Sequence, residues 1–172
     1  MQIRSKFSRF GSLAVVAGVL TSCLDFNAMA QEVPFAYIEP GYDPGFYLGD
    51  EETRLGWADL MRGNYGLAEQ HYRRAVEVTR QNGSAWIGLA ASYDRLGRFD
   101  LANLAYRHAI RLEGENYVIL NNWGYSYLLR GDIRTARRLL ERANLLAPGD
   151  PTIANNIAVM DAGLAYFHGF GP

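Results

Sequence analysis

Small and large apolar positions recur along this chain with a fixed step of 34 residues. Glycine returns at Gly63, Gly97 and Gly131. Two alanine series and two series of large apolar residues keep the same step: Ala68/Ala102/Ala136, Ala75/Ala109/Ala143, Tyr65/Phe99/Ile133 and Tyr72/Tyr106/Leu140. A 34-residue period is typical of helix–turn–helix units that stack into a solenoid. The pattern therefore predicts an all-α fold with no β-sheet.

The period divides the chain into three repeats, at 49–82, 83–116 and 117–150. The segment 151–165 has the pattern of a first helix with no second helix after it, and solenoids need such a helix to cover their last apolar face. We therefore predict seven helices within 50–165, followed by a tail at 166–172.

Local signals mark the ends of these helices. We expect Asp50 to cap the first helix and Ser84 the third, because both residue types accept hydrogen bonds from free helix amides. Asp150 followed by Pro151 marks the start of the last helix. The three periodic glycines are expected to end first helices in the left-handed conformation that suits glycine.

The residues at each repeat position resemble the tetratricopeptide repeat family. The second repeat carries Trp86, Leu89, Ala90, Tyr93, Gly97, Phe99, Ala102, Tyr106 and Ala109. The third carries Leu120, Trp123, Gly124, Tyr127, Gly131, Ile133, Ala136, Leu140, Ala143 and Pro148. The resemblance implies a solenoid of three repeats plus a C-terminal capping helix, with first helices lining a concave face that binds other proteins.

Composition narrows the possible partners. The chain has 172 residues and a formal net charge of −1, which suits one domain and gives no electrostatic reason to expect nucleic-acid binding. Its single cysteine, Cys23, excludes a disulfide within the chain.

The N-terminus reads as an export signal. Arg4, Lys6 and Arg9 precede an apolar run at 11–20 that is too short to span a bilayer about 30 Å thick. Two alternative cleavage sites could end this signal. A lipobox-like 20–23 would make Cys23 an acylated N-terminus and a membrane anchor, whereas the small residues at 28 and 30 suit ordinary cleavage after Ala30.

The two ends of the signal predict different locations. Acylation of Cys23 would place a lipoprotein on the periplasmic side of the outer membrane, which the following Leu24 favours by the sorting rule of lipoproteins. Cleavage after Ala30 would release a soluble periplasmic protein. Both alternatives place the protein in a bacterial envelope.

The segment 24–49 is predicted to be a linker, because its prolines and glycines interrupt regular structure. Its aromatic residues, such as Tyr37, are too numerous for a fully solvated tether. One interpretation is that part of the segment packs on the first helix as a cap, which we favour since exposed apolar patches are costly. The other is that it docks a partner.

The sequence contains no catalytic constellation. His71, His108 and His168 have no partner at helical spacing that would complete a metal site, and no nucleophile stands near an activating base in the pattern. We therefore expect no enzyme activity, no metal and no cofactor.

The candidate binding site is the concave face of the first helices. We expect it to carry Arg54, Trp57, Met61, Ile87, Arg95, Asn121, Asn122, Tyr125, Leu129, Asn155 and Asn156. The two asparagine pairs could hold the backbone of an extended peptide, or they could form an internal ladder between neighbouring helices. A basic stripe on second helices, which includes Arg134, Arg138 and Arg142, is expected to be a solvated convex face.

The combination of an export signal, a lipobox, an aromatic linker and about three repeats resembles the small tetratricopeptide lipoproteins of Tad (Flp-type) pilus assembly systems. That resemblance implies an envelope scaffold whose partner is a secretin or another pilus assembly component. The alternative is a periplasmic regulatory or adaptor subunit of an envelope enzyme, or of an assembly machine unrelated to pili.

Overall fold

A computed structural model describes Tyr37 and residues 49–169, and these residues form seven α-helices and no strand. The helices are α1 (Asp50–Met61), α2 (Tyr65–Val78), α3 (Gly83–Arg95), α4 (Phe99–Glu113), α5 (Tyr117–Leu129), α6 (Ile133–Leu146) and α7 (Pro151–Gly169). The all-α prediction is confirmed for this part of the chain. None of these helices is both long and apolar enough to cross a membrane.

The helices are arranged as three successive pairs, α1–α2, α3–α4 and α5–α6, with α7 after the last pair. Each second helix also packs against the first helix of the next unit. In addition, the first helices contact one another directly, α1 with α3, α3 with α5 and α5 with α7. The first helices therefore form one continuous layer, and we call its open side the inner face.

Glycine turns separate the two helices of each repeat. Gly63, Gly97 and Gly131 have φ angles of +80°, +70° and +75°, in the left-handed region that glycine adopts without strain. The predicted role of these three glycines is confirmed.

Small residues allow the paired helices to approach closely. A Cβ atom on Gly56 would lie 2.9 Å from Cδ2 of Tyr72, and one on Gly124 would lie 2.8 Å from Cγ of Leu140. Ala90 takes the corresponding position in the second pair and is fully buried, as is Ala102 on the second helix of that pair. These spacings explain why the period preserves small residues at both sides of each helix pair.

Two of the predicted helix caps are wrong. Asp50 is the first residue of α1, and the residue before it, Gly49, makes no side-chain cap. A side chain on Gly49 would collide with the carbonyl oxygen of Ala75, 2.9 Å from an added Cβ, so backbone packing fixes this helix start.

The second correction concerns α3, which begins before Ser84. The side chain of Asn82 accepts a hydrogen bond from the amide of Ala85 at 2.9 Å and caps the helix. Because Asn82 is the cap, Ser84 lies inside the first turn of α3. The cap of α7 is as predicted, since Asp150 accepts hydrogen bonds from the amides of Thr152 and Ile153 at 2.9 and 3.0 Å.

The last helix covers the end of the core. Ile153 and Met160 on α7 are fully buried, Ile153 beside Leu120 and Met160 beside Tyr125. The helix extends to Gly169, four residues beyond the predicted end at 165.

Candidate functional site: the inner face

An aromatic side chain from outside the helices is seated on the inner face. The ring of Tyr37 meets the ring of Tyr125 edge to face, with centroids 5.0 Å apart and planes at 81°. Tyr37 also packs against two separate core clusters, one that includes Leu129 and one that includes Leu60 and Ala91. It therefore links the apolar surface of the first two repeats to that of the third.

The repeat register explains why the middle of this face can accept a ring. Trp57, Ala91 and Tyr125 occupy the same position in successive repeats. The middle repeat thus has a small residue between two positions that carry large aromatic ones. We call the surface formed by Ala91, Arg95 and Tyr125 the Tyr37 groove.

A cation borders this groove. The guanidinium of Arg95 donates a hydrogen bond to the hydroxyl of Tyr65 and lies 4.7 Å from the centre of its ring. Burial lowers the pKa of the Arg95 guanidinium, but the bond to Tyr65 and the charge interactions with Tyr37, Tyr125 and Tyr65 together outweigh burial and raise this pKa. Burial also raises the pKa of Tyr125 to about 12, although Arg95 partly counteracts this effect. Arg95 therefore stays charged, and Tyr125 stays neutral, at physiological pH.

A buried carboxyl group lies near the groove. Asp94 is 3% exposed and accepts hydrogen bonds from Tyr106 at 3.0 Å and from Ser126 at 2.5 Å. Burial raises the pKa of Asp94 to about 7, although the bonds from Ser126 and Tyr106 and the nearby Arg130 favour its charged form. The protonated form of Asp94 is thus far more populated at neutral pH than that of an exposed aspartate.

The hydrogen bonds continue from Asp94 into the third repeat. Arg130 donates to the hydroxyl of Ser126 at 2.5 Å and to the side chain of Asn103 at 3.1 Å. The indole of Trp123 donates to the same Asn103 oxygen at 2.9 Å. This Asp94 network joins α3, α4 and α5.

The asparagines form hydrogen bonds between helices. Asn156 on α7 donates to the side-chain oxygen of Asn121 on α5 at 2.9 Å, and Asn121 donates to Asn122 at 3.0 Å. All three residues are buried. These bonds correspond to the internal ladder between neighbouring helices, one of the two arrangements expected for the asparagine pairs. Asn155 is exposed.

The structure brings some of the predicted site residues together and separates others. Arg95, Tyr125 and Leu129 lie around Tyr37, and Trp57 is half-buried in the adjoining cluster of the first repeat. Ile87 instead lies in the core of the second repeat, buried against a cluster that includes Tyr106, and does not present its side chain to a partner.

Two predicted residues of the first repeat remain accessible. Met61 is 47% exposed, and Arg54 is exposed beside Glu51, whose carboxylate lies 2.7 Å from its guanidinium. A role of any of these residues in binding stays a prediction. The predicted Cys23 and export signal lie outside the described residues.

Sequence reasoning missed Asp94 and Ser126, although a signal for Asp94 exists. Leu60, Asp94 and Leu128 are register equivalents, so an aspartate replaces a buried leucine in the middle repeat. A charged residue at a core position of one repeat indicates a specific polar contact, because an unpaired buried charge is costly.

The second helices carry arginines that pair with acidic neighbours. Arg137 contacts Glu141 at 3.5 Å and Asp161 at 3.1 Å, and Arg142 pairs with Glu115. These side chains are between 38% and 60% exposed. This arrangement matches a solvated outer face.

Comparison with known proteins agrees with the repeat geometry. Residues 83–116 match the tetratricopeptide repeat family. The first tetratricopeptide domain of Spaghetti (RPAP3), solved with the HSP90 peptide SRMEEVD, superposes with a TM-score of 0.59 at 20% identity, over 68% of this chain and 93% of that chain. The chain thus contains a tetratricopeptide repeat, and its fold is that of a tetratricopeptide-repeat solenoid.

Two curated proteins are similar in sequence. Type IV pilus assembly protein PilF of Pseudomonas aeruginosa is 28% identical over 113 residues, which are 64% of this chain and 45% of PilF. Protein bimA of Emericella nidulans is 30% identical over 78 residues, which are 45% of this chain and 9% of bimA. The chain therefore spans less than half the length of both relatives.

Proposed function

We propose that this protein is an exported scaffold that binds a segment of another bacterial envelope protein on its inner face, in the assembly of a Tad-type pilus. The contact between Tyr37 and Tyr125 is the main support for binding at the inner face. It shows that a side chain from outside the helices can pack against apolar residues there. The buried Asp94 network supports a fixed geometry for this face.

Two observations support the envelope and pilus part. The N-terminal sequence has the basic start, short apolar run and Cys23 of a bacterial lipoprotein signal. The similarity to PilF adds a protein that is itself named for pilus assembly. We propose that a secretin or another pilus assembly component is the partner, and that acylated Cys23 anchors the scaffold to the outer membrane.

Pull-down from solubilised envelopes tests the binding face. The variant Arg54→Ala/Met61→Ala removes two accessible side chains that the repeat register predicts on the inner face, without cutting into the core. We expect it to recover at least about fivefold less secretin or pilus component, identified by mass spectrometry, since exposed arginine and methionine side chains contribute to interfaces.

The matched control is Leu104→Ala/Arg107→Ala on α4. Leu104 is 46% exposed, close to the 47% of Met61, and Arg107 is also exposed. The control should keep the partner. Loss of the partner in the control but not in the inner-face variant would place the interface on the second helices and contradict the proposal.

Labelling with palmitate tests the anchor. The wild type should incorporate the label and sediment with membranes, whereas Cys23→Ala should do neither. A mature wild-type protein that begins at Gln31 would show cleavage after Ala30 and remove the lipid anchor from the proposal.

A further inference from the structure

Tyr37 is held on the inner face by its ring and not by its hydroxyl. The ring packs edge to face on Tyr125 and contacts the clusters of Leu60 and Leu129. The hydroxyl oxygen is buried and has no hydrogen-bond partner among the residues that the structure describes. A buried hydroxyl without a partner weakens binding, because it loses its bonds to water and gains none.

The surroundings of the Tyr37 hydroxyl are unfavourable for a polar side chain in the Tyr37 groove. Burial raises the pKa of Tyr37 well above its usual value, and the nearby Asp94 raises it further, against a smaller opposing effect of Arg95. The site therefore favours a neutral ring. Phenylalanine would keep the contact with Tyr125 and avoid the cost of the buried hydroxyl.

The covalent connection explains how an imperfect ligand can occupy the groove. Residues 38–48 connect Tyr37 to Gly49 at the start of the solenoid. A covalent tether of this length gives an effective concentration on the order of millimolar, so that even weak contacts are populated. A free segment with a better side chain can then displace the tethered one.

We propose that the Tyr37 groove is a binding site for an aromatic side chain of an extended protein segment, that Tyr37 fills it within the same molecule, and that a partner segment bearing phenylalanine displaces Tyr37. This proposal rests on the proposed function in one respect, namely that partners bind the inner face. It adds the chemistry of the partner and a competitor built into the chain.

The test uses full-length protein and a fluorescein-labelled peptide of residues 31–43 that carries Tyr37→Phe. By fluorescence anisotropy, the protein variant Tyr37→Ala should bind this peptide at least about tenfold more tightly than the wild type, since its groove is no longer filled by the chain. The protein variant Tyr37→Phe should bind it more weakly than the wild type. The unsubstituted peptide should bind Tyr37→Ala about tenfold more weakly than the Tyr37→Phe peptide.

The matched control is Tyr42→Ala, which removes another tyrosine of the same segment. It should behave as the wild type. Equal peptide affinity of the wild type and Tyr37→Ala, or an equal gain from Tyr42→Ala, would overturn the proposal. Circular dichroism should give the same helicity for every variant, because Tyr37 lies outside the helices.

A photocrosslink locates the bound peptide without any change to the groove. A peptide with benzophenone-alanine at position 37 should crosslink to the α5 fragment that contains Tyr125 in the Tyr37→Ala protein. Crosslinks confined to second helices would contradict the proposal. So would a wild-type dimer that Tyr37→Ala dissolves, since Tyr37 would then fill the groove of a second copy.

These measurements contain no envelope protein. If the peptide results are as expected but no envelope partner depends on the inner face, the proposed function fails while the Tyr37 groove stands. If an envelope partner depends on the inner face but the peptide results are not as expected, the Tyr37 groove is rejected and the proposed function as a scaffold stands.

Discussion

The substitution Asp94→Asn should make the protein more stable in mild alkali and should change its dependence on pH. Asparagine has nearly the shape of aspartate and can still exchange hydrogen bonds with Tyr106 and Ser126, because both hydroxyls can rotate. The change therefore removes the charge of a buried group and leaves its packing intact.

The pKa of Asp94 gives the size and the sign of the effect. It is about 7 in the folded protein, against roughly 3.9 for an aspartate in an unfolded chain. The folded state thus binds an extra proton between these values, and the wild type loses stability as the pH rises from about 4 to about 7. Three pKa units correspond to roughly 4 kcal/mol, an order-of-magnitude figure for the loss due to this one group.

Urea denaturation at pH 5 and pH 8 measures this contribution. The difference in unfolding free energy between Asp94→Asn and wild type should be larger at pH 8 than at pH 5, by roughly 2 kcal/mol or more. The comparison between variants cancels the other titrating groups. A difference that is the same at both pH values, or that favours the wild type at pH 8, would refute the raised pKa of Asp94.

Two further predictions concern the scaffold. Ala102→Leu should lower the free energy of unfolding by about 1–3 kcal/mol, because Ala102 is fully buried and the added atoms have no space; an unchanged urea midpoint would contradict the close helix contact. Asp150→Ala should cost about 1 kcal/mol, since two amides of α7 lose their acceptor, and Asp150→Asn, which keeps an acceptor oxygen, should recover most of the thermal midpoint.

The fold was predictable because the same physical demand recurs in every repeat. Gly56 and Gly124 both lie where two paired helices approach closely, so aligning the repeats of this one sequence reveals both glycines. Ile87 was misplaced because the register alone does not say how far a first-helix position is rotated toward the core. Tyr37 could not be placed, since it belongs to no repeat and its seat depends on side chains from several helices.

The helix caps show the limit of local rules. Ser84 and Asn82 are both good capping residues, and their order along the chain does not decide between them. The structure selects Asn82, whose side chain also donates to the hydroxyl of Thr53 on α1 at 3.1 Å. A contact with a helix distant in sequence thus determines where α3 begins.

The Asp94 network also specifies which repeat packs against which. Leucine at this position, as in the first and third repeats, would tolerate almost any apolar neighbour, whereas Asp94 needs the hydroxyl of Ser126 and the charge of Arg130. The position one period before Arg130 is Leu96, so this combination occurs at one junction within the described repeats. Similar repeats can otherwise pair out of order, within a chain or between chains. The network penalises such shifted pairings and favours the second repeat followed by the third.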